Sequence, residues 1–429
     1  MTFLSILLGK FTMLLLRLTG RTGSALPGLV VDRINPHMLQ RTLGQLPYGV
    51  IIISGTNGKT TTTKILACLL EAQGLRVLTN KTGSNFVRGI VSTIVQHAHL
   101  SGKLDYDIAV FEQDEAYAVH LAKRIRPRGV VALNVMRDQM DRFGEIDTTS
   151  KLLQQLVTSA TDWVILNAND ERISKLKPSE GVETFWYAHS PALQTDFLTD
   201  DQLYDADKAV YHCEAKPYAE LEAYGDGTVT LKLDGKKHRY DYELGGSHNA
   251  INIAAALTAL HAALPTENTA KTAEAITKLE PAFGRGEVFK LADGVEVTLQ
   301  LIKNPAGFTH ALRLLDVKKY AVAGIVINDE YADGRDVSWL WDVNFEVMRT
   351  GAKTVLTGGT RAADMAVRLK YDLVTAQAVI PDLSQFVIEL NKLGKASGGR
   401  VMLFCTYTAM LELRELYKRY SNEVYEVVV

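Results

Sequence analysis

A short glycine-containing loop between an apolar strand and a helix is the feature that most constrains how this chain can fold. The apolar run VIIIS at residues 50–54 predicts a buried strand, and GTNGKT follows it directly at the start of a helical pattern. Gly55 and Gly58 permit a tight backbone whose amide groups face phosphate oxygens. Lys59 brings a positive charge to the phosphates, and the Thr60 hydroxyl is a ligand for Mg²⁺. The predicted nucleotide-binding residues are Gly55, Thr56, Asn57, Gly58, Lys59, Thr60 and Thr61.

A carboxylate on a neighbouring strand is needed to complete a metal site beside such a loop. Glu112, at the end of DIAVFE, is the best candidate, and Asp114 and Glu115 follow it closely enough to serve instead. Asp and Glu also stabilise the first turn of a helix, so these residues can equally cap the helix that follows. The sequence therefore predicts a metal ligand at Glu112 and leaves capping open for the trio.

Strand-like and helix-like segments alternate along most of the chain. RVLTN, DIAVFE, GVVALNV and DWVILNA are separated by helical segments, which predicts a mostly parallel sheet covered by helices. Residues 179–244 are more polar, and TVTLKLDGKKHRYDYEL predicts a hairpin within a small β-rich insertion. We expect an N-terminal amphipathic helix and linker at 1–46, a nucleotide-binding domain at 47–283, a hinge at PAFGRGE, and a C-terminal Rossmann-like α/β domain at 284–429.

Charge and cysteine content argue against several classes of protein. The 429 residues carry a formal net charge of −2 and contain no basic run, so nothing indicates nucleic-acid binding. Cys68, Cys213 and Cys405 are scattered without a CxxC spacing. Neither a disulfide framework nor a zinc site is expected from them, and a reducing cytoplasm is the natural compartment.

The first residues, MTFLSILLGKFTMLLLRL, form a strongly apolar segment. Lys10 and Arg17 interrupt it, which leaves no uninterrupted stretch long enough to span a bilayer. We expect an amphipathic helix that ends near Gly20. Packing on the protein's own surface is the simpler interpretation, and an interfacial helix that meets a membrane is the alternative.

An acidic segment, INDEYADGRDVSWLWD at residues 327–342, follows the predicted strand AVAGIVI. Five carboxylates surround the single Arg335 there. An aspartate ahead of VSWLWDVNFE suits a helix start. A cap does not explain a whole acidic loop at the carboxyl end of a strand, where α/β folds place their chemistry. A catalytic carboxylate is therefore the alternative to a cap.

Several of these motifs resemble the Mur ligases, the ATP-dependent enzymes that form peptide bonds in cell-wall synthesis. GTNGKTT, Glu112, NVMRDQMDRFG and GGSHNAINIAAA resemble their central domain. AFGRGE, KNPAGF, NDEYADGRDVSWLWDVNFE and CTYTAMLELREL resemble one branch, the MurT ligase subunits of lipid II isoglutaminyl synthase. The match covers both α/β units and the hinge, so it implies a Mur ligase-type central P-loop ATPase domain followed by a Rossmann-like domain.

The resemblance also implies an activity. ATP and Mg²⁺ would activate the α-carboxyl of D-glutamate in the stem peptide of lipid II as an acyl phosphate, which ammonia converts to D-isoglutamine. The ammonia would come from glutamine hydrolysed by a separate GatD-type subunit, docked on the C-terminal domain in a heterodimer. The implied localisation is cytoplasmic, and peripheral contact with the inner face of the cell membrane is the alternative left open.

Site residues are implied one by one. Lys59 and Thr60 match the loop lysine and the Mg²⁺-binding threonine of the family, and Glu112 matches its metal-binding glutamate. Asn249 and Asn252, in GSHNAIN, match asparagines that face the adenine.

The resemblance implies two further residues near the nucleotide. At one other position the sequence differs from the family pattern, and this difference concerns the metal. Arg285 matches the hinge arginine near the nucleotide, and Asn304, in KNPAG, lies where related ligases place a loop at the ribose. Gln139 stands where amino-acid-adding Mur ligases have a metal-binding histidine. This departure argues against a second tightly held Mg²⁺.

Zinc is not expected, although many MurT proteins carry a four-cysteine zinc insertion. Only Cys213 lies in the corresponding region, and with His212 and His189 it does not make a tetrahedral set. We expect the insertion to remain without its metal.

The glutaminase chemistry is expected on another chain, because no Ser–His–Asp or Cys–His set is apparent in this one. In the MurT branch the resemblance implies that the ligase subunit donates the acidic third residue of the glutaminase site, and the matching position is Asp336. Trp339 and Trp341 are candidates for the docking surface, with one of them expected in the core.

Two other functions are compatible with parts of the sequence. A stand-alone ligase that adds an amino acid, as Mur ligases and folylpolyglutamate synthetases do, would share the fold, but the DGRDVSWLWD segment favours the amidating subunit. A nucleotide-binding regulatory protein without turnover is the third option. The presence of Lys59, Thr60 and Glu112 argues against it.

Overall fold

Most of the chain forms two α/β units. The computed structural model describes residues 2–18, 26–80, 86–137, 146–197, 199, 202, 211, 213–242, 246–279, 285–318, 320–352 and 354–426. The first unit is built from Met1–Val135, Ile146–Thr199 and Lys208–Leu279, and most of the second unit lies in Glu280–Val429.

The first unit contains a nine-stranded sheet and the helices that cover it. Its strands are β1 Val50–Ser54, β2 Val77–Thr79, β3 Ile108–Glu112, β4 Gly129–Ala132, β5 Trp163–Asn167, β6 Glu183–His189, β7 Ala219–Gly225, β8 Thr228–Leu233 and β9 Lys236–Asp241. Its helices are α1 Thr2–Leu18, α2 Leu26–Ile34, α3 Met38–Leu43, α4 Lys59–Ala72, α5 Val87–His97, α6 Glu115–Ile125, α7 Ile146–Thr158, α8 Glu171–Ser174, α9 Ser247–Ala263 and α10 Thr269–Thr277, with a 3₁₀ turn at Pro191–Asp196.

The strand order places β1 at the switch point of the sheet. The order is β2-β3-β1-β4-β5-β6-β7-β8-β9, parallel from β2 to β7. The chain leaves β1, forms β2 and β3 on one side of it, and then crosses to β4 on the other. Open α/β sheets bind ligands in the crevice that such a reversal opens at the carboxyl ends of the strands. The loop after β1 lies at that crevice.

Burial on both faces of the sheet explains why the central strands are continuous apolar runs. Ile51 and Ile53 of β1 face the core formed with α4, α9 and α10, while Val50 and Ile52 face the core formed with α3, α5, α6 and α7. All five residues of β1 are buried. The side chains of a strand alternate between its two faces, so a strand buried on both must be apolar throughout.

The predicted β-rich insertion extends the main sheet instead of standing apart from it. Strand β6 pairs in parallel with β5, and β7, β8 and β9 continue the same sheet, with β7–β8 and β8–β9 antiparallel. The predicted Asp-Gly turn joins β8 to β9. Asp234 and Gly235 have φ angles of +42° and +82°, as a type I′ turn requires at both of its central positions.

The amphipathic helix predicted at the start of the chain is α1. It packs on α2 and α5 of the first unit. Among the helices that the structure describes, none is both long enough and apolar enough to cross a membrane.

The second unit is a seven-stranded sheet between helices. Its elements are β10 Arg285–Leu291, β11 Glu296–Leu301, α11 Pro305–Lys318, β12 Val322–Val326, a 3₁₀ turn at Ser338–Asp342, α12 Met348–Gly351, β13 Thr354–Gly358, α13 Ala362–Tyr371, β14 Ala378–Ile380, α14 Leu383–Ala396, β15 Arg400–Cys405, α15 Tyr407–Tyr420 and β16 Ser421–Glu426.

The sheet order in this unit is β14-β13-β12-β15-β11-β10-β16. Five neighbouring strands, from β14 to β11, are parallel, and β10 and β16 add an antiparallel edge. The predicted Rossmann-like α/β unit is thus a mixed sheet with apolar cores on both faces. Its loops at the carboxyl ends of β12, β13 and β15 lie at one edge, and the acidic segment is among them.

Candidate nucleotide site

The phosphate loop is the turn from Gly55 to Gly58 between β1 and α4. Gly58 adopts a left-handed conformation, with φ of +87°, at the position just before the helix. A Cβ there would lie 2.5 Å from Oδ1 of Asn252 on α9, so glycine is needed both for the backbone and for space. Thr60 and Thr61 follow in the first turn of α4. The predicted loop residues therefore form one continuous cradle at a helix N-terminus, where amide groups and the helix dipole favour an anion.

Asn134 holds the loop in shape, and sequence reasoning missed it. Its Oδ1 accepts the amide of Asn57 at 2.8 Å, and its Nδ2 donates to the Asn57 carbonyl at 3.0 Å. The Asn134 carbonyl also accepts the amide of Thr56 at 3.0 Å. Asn134 follows the neighbouring strand β4, and only the pairing of β1 with β4 brings it beside the loop.

Lys59 is a buried cation at the base of the cradle. Its ammonium donates to the carbonyls of Gly55 at 2.7 Å and Thr56 at 3.3 Å, and it lies 3.3 Å from a carboxylate oxygen of Asp114. Only 7% of the Lys59 side chain is exposed, against 23% for Asp114. This carboxylate, one of the three considered as metal ligands, is thus a partner of the lysine.

Glu112 is a buried carboxylate next to the loop. It is paired with Ile53, the residue before the last of β1, and is 2% exposed. Neither carboxylate oxygen has a hydrogen-bond partner among the described residues. An unpaired buried charge costs several kcal/mol unless a counter-charge compensates it. An oxygen donor so placed, on the strand next to the phosphate loop, fits a hard divalent cation such as Mg²⁺.

The backbone of Glu112 is fixed by two neighbours that the sequence did not single out. Asn80, after β2, donates from Nδ2 to the Glu112 carbonyl at 3.1 Å and accepts the Glu112 amide at 3.0 Å. The backbone amide of Gln113 donates to the Ile53 carbonyl at 3.0 Å, and the backbone carbonyl of Gln113 accepts the Ser54 hydroxyl at 2.9 Å. A polar residue just past a buried strand was the only signal available for Asn80.

Helix α9 brings the predicted asparagines to the same crevice. Asn252 is 5% exposed, its Oδ1 lies against Gly58, and its Nδ2 has no partner in the described part of the chain. Asn249 lies one turn earlier on α9 and is half-buried. The structure therefore places Asn252 at the loop.

The other two predicted nucleotide residues belong to the second unit. Arg285 begins β10, and its side chain lies outside the described residues. Asn304 is fully buried and caps α11, because its Oδ1 accepts the amide of Gly307 at 2.8 Å. This capping bond is a structural role that the sequence analysis did not assign to Asn304.

In the acidic segment, Asp333 has a structural role. It is 6% exposed, and its Oδ1 accepts the amide of Thr408 at 2.7 Å while its Oδ2 accepts the Thr408 hydroxyl. Oδ2 also accepts the amide of Glu330 at 3.3 Å. Burial raises the pKa of the Asp333 carboxyl above its usual range. Asp333 thus ties the acidic loop to the start of α15.

Asp336 occupies a more open place in the same segment. Its side chain is half-buried, and its Oδ1 accepts the amide of Ser338 at 2.8 Å, at the start of the 3₁₀ turn. This bond is local to the turn, because the residue at the N-cap position of the 3₁₀ turn is Val337. Trp339 is 5% exposed in the core, whereas Trp341 is 52% exposed and lies edge-on to Tyr371.

The cysteines of this chain do not make a described nucleophilic site. Cys405 is fully buried at the end of β15, and burial raises the pKa of its thiol well above its usual range. A buried neutral thiol is a poor nucleophile. Cys68 lies on α4 and packs against the core of the first unit.

Of the three residues named above for a zinc site, His189 and Cys213 lie within the described residues. His189 stacks on Phe197, and its Nδ1 lies 3.0 Å from the Ser190 carbonyl oxygen. His212 and Gln139 lie outside the described residues. Among the described residues, no group of three or more His, Cys, Asp or Glu side chains is arranged to hold a metal ion.

Comparisons with known proteins match both units. The Mur ligase middle domain family matches residues 53–260, and the MurT ligase C-terminal family matches residues 301–410. The MurT subunit of lipid II isoglutaminyl synthase (glutamine-hydrolyzing) from Streptococcus pneumoniae is 32% identical over 97% of this chain and 96% of its own. The corresponding subunit from Staphylococcus aureus strain COL is 30% identical over 85% of this chain and 86% of its own.

A solved structure shares the fold. The MurF ligase of Thermotoga maritima in complex with ADP superposes with a TM-score of 0.63 and 17% identity, covering 90% of this chain and 84% of that one.

A phosphate loop on the central strand, a carboxylate on the adjacent strand and a second α/β unit together define an ATP-dependent ligase of the Mur type. At 32% identity over nearly the full length of both chains, the chain belongs to the MurT family. It is a ligase subunit of peptidoglycan synthesis, as the sequence resemblance predicted.

Replacing Glu112 tests the metal site without an activity assay. We expect Glu112→Gln to unfold at the same or a higher temperature without ligand, because a neutral amide costs less to bury than an unpaired carboxylate. Adding Mg²⁺ with a non-hydrolysable ATP analogue should raise the unfolding temperature of the unmodified protein, and this increase should fall by at least about half in the variant. Glu115→Gln, a buried neighbour, is the matched control. Loss of the increase in the control alone would move the metal ligand to Glu115.

Asp333→Ala tests the anchoring of the acidic loop. The free energy of unfolding should fall by about 1–3 kcal/mol, because Thr408 and Glu330 lose their acceptor. Since the folded state keeps the Asp333 proton to a higher pH than the unfolded chain, the aspartate's contribution is complete below its ordinary pKa. It declines as the pH rises through the raised value, so the cost should be largest in acid. Urea unfolding at several pH values measures this, with exposed Asp342→Ala as control. Equal costs in the two variants would contradict the anchoring role.

Proposed function

We propose that this chain is the ligase subunit that amidates the α-carboxyl of D-glutamate in the stem peptide of lipid II, with ATP and ammonia as co-substrates. The observation that carries the proposal is the unpaired carboxylate of Glu112 beside the phosphate cradle. The substrate comes from the names of the relatives, which are lipid II isoglutaminyl synthase subunits.

The chemistry follows from the weakness of a carboxylate as an acceptor for ammonia. Transfer of the γ-phosphoryl group of ATP to the substrate carboxylate breaks the bond to ADP and forms an acyl phosphate. Ammonia then attacks the carbonyl carbon, phosphate leaves and the amide remains. Phosphoryl transfer depends on positioning and charge neutralisation more than on a protein nucleophile. The loop amides and Lys59 supply both.

Four side chains are proposed for the nucleotide end of this reaction. The Lys59 ammonium, which contacts loop carbonyls and Asp114, would bind the phosphates, Thr60 and Glu112 would hold Mg²⁺, and Asn252 lies where the loop meets α9. When bound, Mg²⁺ neutralises charge on the phosphate oxygens. We propose Asn249, Arg285 and Asn304 as further nucleotide contacts.

Ammonia is proposed to come from a glutaminase of the GatD type. The buried Cys405 thiol does not suit attack on glutamine, so the nucleophilic cysteine is assigned to a partner. Asp336 is proposed as the acid that orients the partner's catalytic pair. Asp336 is half-buried in the loop after β12, and Trp341 of the same segment is 52% exposed, which supports a docking surface on residues 284–429. The complex would work in the cytoplasm at the inner face of the membrane, where a lipid-linked precursor is found.

Lys59→Ala tests the ligase assignment. The unmodified chain with a glutaminase partner should consume ATP only when lipid II and glutamine are both present. The variant should lose about a hundredfold or more of this rate, because the charge at the phosphates is removed. Lys392→Ala, an exposed lysine, is the control. ATP turnover driven by an amino acid without any glutaminase would instead indicate a stand-alone amino-acid ligase.

Asp336→Asn separates the glutaminase from the ligase. Glutamine-dependent amidation should fall at least about tenfold, because an amide cannot orient and stabilise a charged base as a carboxylate does. Amidation driven by ammonium chloride should stay within about twofold, since the ligase site is unchanged. Asp342→Asn, an exposed carboxylate six residues later, is the matched control. Equal loss with ammonia would place Asp336 in the ligase site or in the fold.

A further inference from the structure

Helix α1 carries an apolar stripe that faces away from the protein. Every position of this stripe holds a large apolar side chain, and the exposed fractions run from 39% at Leu8 to 75% at Leu18. The eight residues are Phe3, Leu4, Leu7, Leu8, Phe11, Leu14, Leu15 and Leu18. Their spacing of three and four residues places them on one side of the helix. A helix that only covers its own protein exposes polar residues on this side.

The opposite side of α1 packs against the first unit. The exposed stripe is therefore not the side of the helix that contacts the core. Ser5 and Ile6 are fully buried, and the Ser5 hydroxyl accepts a hydrogen bond from Nδ2 of Asn35 at 3.3 Å. A Cβ at Gly9 would lie 2.6 Å from a methyl group of Val31 and 2.8 Å from one of Val95. This close approach fixes which side of α1 faces the first unit.

Exposed apolar residues of the first unit are concentrated at this place. Leu26 and Ile34 of α2, the helix on which α1 packs, are also exposed. Of the twelve large apolar residues exposed in the described part of the first unit, only Phe86 and Leu100 lie outside α1 and α2. Contiguous apolar patches of this kind mark surfaces that bind a partner or a membrane.

The same segment carries an excess of positive charge. Residues 1–46 contain five basic residues, Lys10, Arg17, Arg21, Arg33 and Arg41, and one acidic residue, Asp32. Asp32 is paired with Arg124 at 2.6 Å, so it does not neutralise them. Lys10 borders the stripe, three residues after Leu7 and four before Leu14. The whole chain, in contrast, has a net charge of −2.

We propose that the outer stripe of α1, with Leu26 and Ile34 of α2, binds the surface of an anionic lipid bilayer, with α1 lying in the plane of the interface. The apolar side chains enter the boundary between headgroups and acyl chains, Lys10 meets the anionic headgroups, and the net positive charge of residues 1–46 adds to the attraction. The surface deepens the proposed function, since an enzyme acting on a lipid-linked substrate must work at such an interface.

A second copy of the chain is the competing occupant of this stripe. A two-fold pairing of α1 with itself would bring the same basic segment of both copies together, and like charges across an interface oppose association. An anionic membrane offers the complementary charge. The charge of the segment therefore favours the lipid surface.

Vesicle flotation of the full chain tests the proposal. With substrate-free vesicles of phosphatidylglycerol and phosphatidylethanolamine, the unmodified protein should float with the vesicles. The bound fraction should fall with phosphatidylcholine vesicles and with added salt, because part of the attraction is electrostatic. The double variant Leu7→Glu/Phe11→Glu should partition at least about tenfold less, since two charges enter the stripe. Both residues are exposed, so the fold should be retained, as circular dichroism and thermal unfolding verify.

The control is Ile388→Glu on α14, which is 59% exposed in the second unit and should float as the unmodified protein does. Absence of flotation by the unmodified protein, or equal flotation of the double variant, would overturn the proposal. So would a dimer in light scattering that the double variant dissociates without any effect on vesicle binding.

Amidation of a lipid-free stem-peptide substrate keeps this test separate from that of the proposed function. The double variant should amidate it at the normal rate and should lose rate only on lipid II in vesicles. If the unmodified protein floats but amidates neither substrate, the proposed function fails and the membrane surface stands.

Discussion

The buried carboxylate of Glu112 is the constraint on which the first unit depends. Strand β1 lies between β3 and β4, so the phosphate loop leaves the sheet with Glu112 on one side and Asn134 on the other. Asn80 fixes the backbone of Glu112, and Asn134 fixes that of the loop. Neither oxygen of Glu112 has a partner among the described residues, and this desolvated charge is tolerable only where a cation compensates it. The fold thus holds a buried carboxylate without a hydrogen-bond partner beside the loop, and this is the observation that supports the proposed metal site.

The carboxylates of the acidic segment in the second unit differ in their hydrogen-bond partners. Asp329 accepts the Thr360 hydroxyl at 2.7 Å, and Asp333 accepts the amide and hydroxyl of Thr408. These three bonds tie the loop after β12 to the segments after β13 and β15. Asp336 makes only a local bond to Ser338 in the described part of the chain. The anchored neighbours hold the loop that carries Asp336, and this is compatible with its proposed role toward a partner.

Helix α1 has one side packed against the first unit and an apolar side exposed at the surface. Its inner side, with Ile6 and Gly9, is packed as closely as a protein core, while its outer side is as apolar as the inner one. A substrate with a lipid chain and an enzyme with an apolar, basic face meet most readily at a bilayer, because both then bury apolar surface there.

Sequence alone determined the strand, loop and helix around residues 55–61 and the mostly parallel sheet that contains them, because local spacing and apolar runs encode strand, loop and helix directly. The Mur ligase class came instead from the resemblance of longer motifs. The sequence also singled out Glu112 as a candidate metal ligand and the acidic segment as a candidate site, and both stay predictions. It did not find Asn80 or Asn134, and it missed that Asp114 pairs with Lys59 and that Asn304 caps a helix. Those contacts join segments brought together by strand pairing or depend on which way a side chain turns. Only the tertiary structure therefore decided which carboxylate stays unpaired. It also decided which side of α1 faces outward, because burial and hydrogen-bond partners are properties of the packed chain.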